Sequence, residues 1–200
     1  MNTVQTLELG DDKIKDFVFF YFAGDFEANE INLNKVVIQI QNHRNSGVIC
    51  LIGVFDKSLA ERNSASDSFL KLMKSFDLAG FAERENEFKA IVESCYYCDK
   101  GDVVVNPIDY LSLRTESNNQ FEFITKTADN LAQAAELVGK ELDGKIKMHK
   151  AIISIAAPED LQISEIKDCV ERIKKNSPDF MTYLSIRKCE KGTTVSVMFT

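Results

Sequence analysis

The chain of 200 residues has no tryptophan, three prolines, two histidines and nine glycines, no two of them adjacent. With 44% hydrophobic and 28% charged residues, this composition excludes disordered, collagen-like and coiled-coil chains. Long apolar runs are also missing. The longest, Phe17 to Phe22 and Val48 to Phe55, have the length of a strand and fall far short of a membrane-spanning helix. Residues 1–16 carry Asp11, Asp12, Lys13 and Lys15 but no apolar signal core, so nothing marks the chain for secretion. Scattered glycines leave no glycine-rich loop of the kind whose backbone amides cradle phosphates, and Gly24-Asp25-Phe26 offers a single glycine.

Positive charge is in deficit. Lys and Arg number 24 against 31 Asp and Glu, a net charge of −7. Nucleic-acid binders present a basic face that replaces counterions on phosphates. The densest basic group here, Lys140, Lys145, Lys147, His149 and Lys150, is interrupted by Glu141 and Asp143 and reads as a solvated helix end and loop. No nucleic-acid partner is expected. The five cysteines (Cys50, Cys95, Cys98, Cys169 and Cys189) leave one over after any full pairing, which points to a reducing cytoplasm. Cys95-Tyr-Tyr-Cys98 has the spacing of half a zinc site, but no second Cys or His pair completes four ligands. It reads as a strand end entering the turn Asp99-Lys100-Gly101, not as the helix opening at which redox pairs lower a thiol pKa. No metal or cofactor is expected. His43 and His149 are placed in loops, with no Ser or Cys assigned beside them as a nucleophile.

Apolar residues recur at i, i+3, i+4 and i+7 in four places: Leu33/Val36/Val37/Ile40, Phe69/Leu72/Met73/Phe76, Leu131/Ala134/Ala135/Val138 and Ile166/Cys169/Val170/Ile173. Each predicts a helix, the last with Ser164 as N-cap. Eight runs rich in Val, Ile, Phe and Tyr predict strands at 17–22, 48–55, 88–97, 102–108, 121–125, 150–156, 181–188 and 194–200, with Pro107 closing the fourth. In order these elements read β-α-β-α-β-β twice, an internal duplication. A constant offset of 104 places Phe17 on Phe121, Phe19 on Phe123, Asp25 on Asp129, Val48 on Ile152, Leu51 on Ile155 and Asp56 on Asp160. The turns Cys98-Asp-Lys-Gly101 and Cys189-Glu-Lys-Gly192 close the two copies.

The expected fold class is therefore α/β (α+β), as two tandem two-layer βαβαββ modules related by a pseudo-twofold duplication. Its parts are an N-terminal segment 1–16, a first module 17–109 with an insertion near 79–87, a polar linker 110–120 and a second module 121–200. Phe17–Phe22 and Val48–Phe55 are apolar on both alternating faces, which implies a sheet covered on both sides. Two helices per module cover one face, so the other calls for the second copy or another chain. Phe17, Phe19 and Tyr21 share one face of the first strand and are candidate contact residues. Asp25 and Asp129 follow the first strand of each copy, where they act either as helix caps or as an acid–base pair in a cleft between the modules.

Residues 121–200 resemble the C-terminal domain of the FtsZ/tubulin family. Phe121–Thr125 looks like that domain's opening strand and Ala128–Leu142 like its alanine-rich helix. Lys150-Ala-Ile-Ile-Ser-Ile-Ala-Ala-Pro-Glu-Asp-Leu161 is similar to the second strand and its Gly-Gly-x-Asp-Leu turn, with Ala157-Pro158 in place of the glycines. Ser164-Glu165-Ile166, Pro178-Asp179 before a strand, the charged turn at 189–192 and a closing Val-x-Val strand complete the order. The resemblance implies tandem C-terminal-type modules without the GTP-binding domain. The family's acidic hydrolytic residue has no counterpart, since the faint echo Ile31-Asn32-Leu33-Asn34 carries Asn there and reads as the first turn of a helix. The resemblance thus implies a cytoplasmic, non-enzymatic protein that acts by protein–protein interaction or self-assembly, with cell-division or cytoskeletal proteins as partners and no nucleotide or membrane. The alternatives are a small-molecule-binding protein or enzyme with a site between the modules, and a purely structural oligomer.

Overall fold

A computed structural model describes residues 4–10, 15–96, 103, 105–115, 118–143, 149–175 and 180–200. Its strands are β1 (Val4–Gly10), β2 (Lys15–Phe22), β3 (Cys50–Asp56), β4 (Leu78–Ala82), β5 (Gln120–Ala128), β6 (Lys150–Ala157), β7 (Met181–Lys188) and β8 (Thr193–Phe199). Its helices are α1 (Glu30–Asn45), α2 (Lys57–Asn63), α3 (Asp67–Ser75), α4 (Glu85–Tyr96), α5 (Pro107–Leu111), α6 (Leu131–Leu142) and α7 (Ile163–Lys174). The described residues form two compact units, one from Met1–Val92 and Tyr110–Phe121, the other from Glu93–Asp109 and Glu122–Thr200.

In the first unit β1 runs antiparallel to β2, and β2, β3 and β4 are parallel neighbours in that order. The opening residues of β5 continue the parallel set, Gln120 beside Ala79 and Phe121 beside Gly80. Every residue from Phe17 to Phe22 is 4% exposed or less, because helices cover both faces of β2. On one face Val18, Phe20 and Phe22 pack with Leu33, Val36 and Ile40 of α1 and Phe69, Leu72 and Met73 of α3. On the other, Phe88 of α4 stacks on Tyr21 with ring centroids 4.8 Å apart, and Tyr110 of α5 meets Phe17 edge-on at 5.1 Å. Each such side chain contributes about 1.5–3 kcal/mol by leaving water. Sequence predicts the double cover, and Phe88 and Tyr110 of the same unit supply its second side. Gly53 in β3 is required by close approach, since a Cβ there would stand 2.6 Å from the Phe76 ring, and one at Gly80 would meet the Phe121 ring.

The second unit has strand order β5-β8-β6-β7, with β8 antiparallel to both neighbours and β6 parallel to β7. Helices α6 and α7 lie on one face, where Leu131, Ala135, Val138, Cys169 and Ile173 meet Ile124, Ile153, Ile155, Val195 and Val197. The opposite face carries a row of hydroxyls across all four strands. Thr125 and Ser196 share a hydrogen bond of 3.0 Å, Ser154 stands opposite Ser196 in register, and Ser185 donates to Ser154 over 3.3 Å. Ser154 in turn donates to the Ser94 carbonyl at 3.3 Å. The order βαβαββ expected for 121–200 is present, with Gly192 at φ +65 in its charged turn.

Residues 17–109 do not repeat that order. The run 88–97, strand-like in composition, is helical as far as Tyr96 because Phe88, Ile91, Val92 and Cys95 put one apolar stripe inward. Among the described residues of the run 102–108, Val103 makes an isolated bridge to Ile186, and Pro107 opens α5, where a missing N–H costs nothing. The supposed insertion at 79–87 holds most of buried β4, and 1–16 holds β1. Residues 110–120 are no polar linker, since Tyr110 and Leu113 are 1% and 0% exposed. Gln162, not Ser164, caps α7, its N–H donating to the Glu165 carboxylate at 2.8 Å. The turn at 98–101 lies outside the described residues.

Candidate functional site

Parallel strands end level with one another, and the loops leaving their carboxyl ends are where α/β sheets place ligands. Here Phe22, Phe55 and Phe81 stand side by side in register, so the turns beyond them converge. Asp56 leaves β3 as the N-cap of α2, its Oδ1 accepting from the Ser58 N–H at 2.9 Å and the Ser58 hydroxyl at 2.6 Å. Arg62, in the last turn of α2, donates to the Gly24 carbonyl. Lys57 bonds Glu83 beyond β4 at 2.7 Å, and this bond and charge hold the Glu83 carboxyl below its ordinary range. The Glu83 N–H donates to Glu87 over 2.7 Å, which seats the start of α4. Burial raises the Tyr21 phenol above its usual value of 10.0, and the charges of Asp56 and Glu85 add to the rise.

Only the first of the three turns contains a glycine, and that glycine is closed over. A Cβ on Gly24 would stand 2.9 Å from Ser58 Oγ and 3.1 Å from Asp56 Oδ1. The N-terminus of α2, where backbone N–H groups favour an anion, is already served by the Asp56 carboxylate. These groups tie the three strand ends together, and Ser58 gives its proton to a carboxylate that is itself a helix cap. Among the described residues no group of three or more His, Cys, Asp or Glu is disposed to hold a metal ion.

A second polar cluster lies at the opposite, amino ends of β3 and β4. The Asp77 side chain, 9% exposed, accepts from the Leu51 N–H at 2.9 Å and from Arg44 at 3.0 Å, with Arg114 at 4.0 Å. Arg44 also donates to the Ser75 carbonyl at 2.9 Å, and Asn119 Nδ2 donates to the carbonyls of Met73 and Phe76 at 3.0 and 2.9 Å. This cluster joins the ends of α1 and α3 to the sheet.

The structure relocates the residues that sequence singles out. Phe17, Phe19 and Tyr21 are buried under Phe88 and Tyr110 within one unit, so they present no contact surface; residues apolar on both faces of a strand are covered by their own domain first. Asp25 and Asp129 are both exposed and belong to different units. Neither caps a helix: Asn29 accepts from the Asn32 N–H and Asn130 from the Gln133 N–H, each at 3.0 Å. Cys95 is buried in α4, and Cys98 lies outside the described residues. His43 sits in the last turn of α1 rather than in a loop, its ring 5.7 Å from Phe20, while His149 is exposed ahead of β6. Sequence marks Asp56 only as a counterpart of Asp160 and misses Ser58, Arg62, Glu83 and Asp77 as a polar framework. The signal for the first pair is Asp-x-Ser at the head of a helix.

No protein-family model matches the sequence, and no curated protein does. Among solved structures the chain is similar to an empty FtsZ dimer from M. jannaschii, with TM-score 0.60, 14% identity, and coverage of 93% of this chain and 63% of that one. It is similar to CetZ from Methanosaeta thermophila strain DSM 6194, with TM-score 0.66 and 10% identity over 93% of this chain and 61% of that one. It is also similar to GDP-bound monomeric CetZ1 from Haloferax volcanii, with TM-score 0.54 and 11% identity over 92% of this chain and 64% of that one. The chain thus spans less than two thirds of the length of these proteins. At such identities the likeness is one of fold: a mixed α/β fold of the FtsZ/tubulin kind. It extends beyond 121–200 to both units.

Proposed function

From this fold we propose that the chain is a non-enzymatic protein that works by protein–protein interaction or self-association, with cytoskeletal or cell-division proteins as its partners, and that it does not hydrolyse GTP. The closed turn at Gly24 carries the reading. A phosphate cradle needs open backbone amides at a glycine-rich turn, whereas here Ser58 and the negative Asp56 stand against the one glycine. One similar protein, CetZ1, is GDP-bound, and one FtsZ structure is a dimer. Association is the property carried over, and nucleotide binding is not. Free thiols at Cys169 and Cys189 suit a reducing cytoplasm, and no helix among the described residues is long and apolar enough to cross a membrane.

Two measurements test this. Phosphate release from Mg-GTP should match the buffer blank; release that scales with protein concentration would overturn the non-enzymatic half. Light scattering should show mass rising with concentration, or affinity capture should retain a cytoskeletal or division protein. A monomer at every concentration together with no such partner would overturn the interaction half.

A further inference from the structure

We infer that the outer edge of β1 is a self-pairing surface, which joins two copies of this chain through an antiparallel β1–β1 contact about a twofold axis. The inference rests on the self-association reading above and gives it a location. β1 pairs with β2 on one side, and among the described residues no strand pairs with its other side. An open edge carries unpaired N–H and C=O groups, and proteins that must stay apart blunt it with Lys, Pro or a covering segment. Val4-Gln-Thr-Leu-Glu-Leu-Gly10 has no Lys, Arg or Pro, a single charge at Glu8, and Leu7 exposed at 38%. The edge of β7 in the other unit is treated differently. There Val103 exchanges backbone hydrogen bonds with Ile186 at 3.4 and 3.1 Å, and Arg187 and Lys188 end the strand.

The strand's own sequence selects the occupant. In a twofold antiparallel pair one residue must stand opposite itself. Centring on Glu8 sets like charges opposite each other, which is unfavourable. Centring on Thr6 sets Val4 opposite the charged Glu8 and Gln5 opposite Leu7, a polar group against an apolar one at both pairs. Centring on Leu7 engages Gln5–Leu9: the exposed Leu7 meets Leu7, Thr6 meets Glu8 and Gln5 meets Leu9, with like facing like at the centre and no charges opposed. The hydroxyl of Thr6 then lies across from the Glu8 carboxylate of the other copy. The irregular register between Leu9 and Gly10 ends the ladder there.

Sedimentation equilibrium of the whole chain tests this with Leu7→Lys, with Ile38→Lys on the exposed face of α1 as a surface control, and with Leu7→Cys under mild oxidation. Wild type and Ile38→Lys should dimerise alike. Leu7→Lys, whose two new charges would face each other, should raise the dissociation constant at least about tenfold while the circular dichroism spectrum stays that of wild type. Leu7→Cys should yield a covalent dimer well above the wild-type thiol background, because paired residues at the axis lie about 4.5–5.5 Å apart, within disulfide reach. A dimer indifferent to Leu7→Lys and without a Leu7→Cys crosslink overturns the edge inference but leaves self-association through another surface. A monomer throughout, with no crosslink, overturns both the edge and the self-association on which it rests. If Leu7→Lys fails to fold, the crosslink alone decides.

Discussion

Replacing Asp77 with alanine removes the acceptor on which the amino ends of β3 and β4 converge. The Leu51 N–H loses its 2.9 Å partner, and Leu51 is fully buried, so water cannot take the acceptor's place. An orphaned buried donor costs about 1–3 kcal/mol. The Arg44 pair adds little: Arg44 is 40% exposed and keeps its bond to the Ser75 carbonyl, so about 0–1 kcal/mol is the fair figure for its share. The expected loss for Asp77→Ala is about 1–4 kcal/mol. Asp77→Asn retains a carbonyl oxygen for Leu51 and loses only the charge, so it should cost about 1 kcal/mol. Urea unfolding followed by circular dichroism reads both from the midpoints at constant slope. If Asp77→Ala stays within about 0.5 kcal/mol of wild type, as an ordinary surface change would, the cluster is decorative and the reasoning fails.

Gly80→Ala should destabilise by about 1–3 kcal/mol, because the new methyl collides with the Phe121 ring; a thermal melt equal to wild type would refute the close packing of β4 on β5. The raised Tyr21 phenol makes stability fall as pH climbs from 10.0, the unfolded value, through the higher folded value, since the unfolded chain releases the proton first. Tyr21→Phe should flatten that alkaline limb in denaturant titrations against pH; an unchanged limb would refute it. The Cys169 thiol is pushed up to about 12 by burial, so a thiol reagent near neutral pH should modify Cys189 in the native protein well before Cys169, as read by peptide mass mapping. Equal rates at the two would refute that protection.

How much of the fold is legible in the sequence depends on which signal is weighed. The periodic stripes of α1, α3, α6 and α7 are legible because apolar spacing reports burial directly. Phe88, Ile91, Val92 and Cys95 carry the same i, i+3, i+4, i+7 spacing. There, a strand-like composition of Ile, Val and Tyr masks it, and burial on one helical face overrides propensity. Strand β4 is illegible for the opposite reason. Leu-Ala-Gly-Phe-Ala has small residues where propensity looks for branched ones, because aromatic rings from Phe76 and Phe121 need the room beside β3 and β4. Pro107 reads as the stop of a strand yet starts a helix, two roles one residue can fill. The polar frameworks at Asp56 and Asp77 join residues far apart in sequence, from Arg44 to Arg114, and no spacing rule announces such contacts.

The hydroxyl row from Thr125 through Ser196 and Ser154 to Ser185 bears on how the second sheet finds one alignment. Alternation of apolar residues fixes which face of a strand turns inward, yet a slide of two residues preserves every face. Such a slide of β6 along β8 would bring Ile152 to Ser196 with Ser154 facing Thr194, or Ala156 to Ser196 with Ser154 facing Met198. The slid sheet buries nearly as much hydrocarbon, but Ser196 then faces an apolar side chain of β6 and the row from Thr125 to Ser185 is broken. The hydroxyl row therefore acts as a ratchet pawl, rejecting misaligned pairings that the oily side of the sheet accepts.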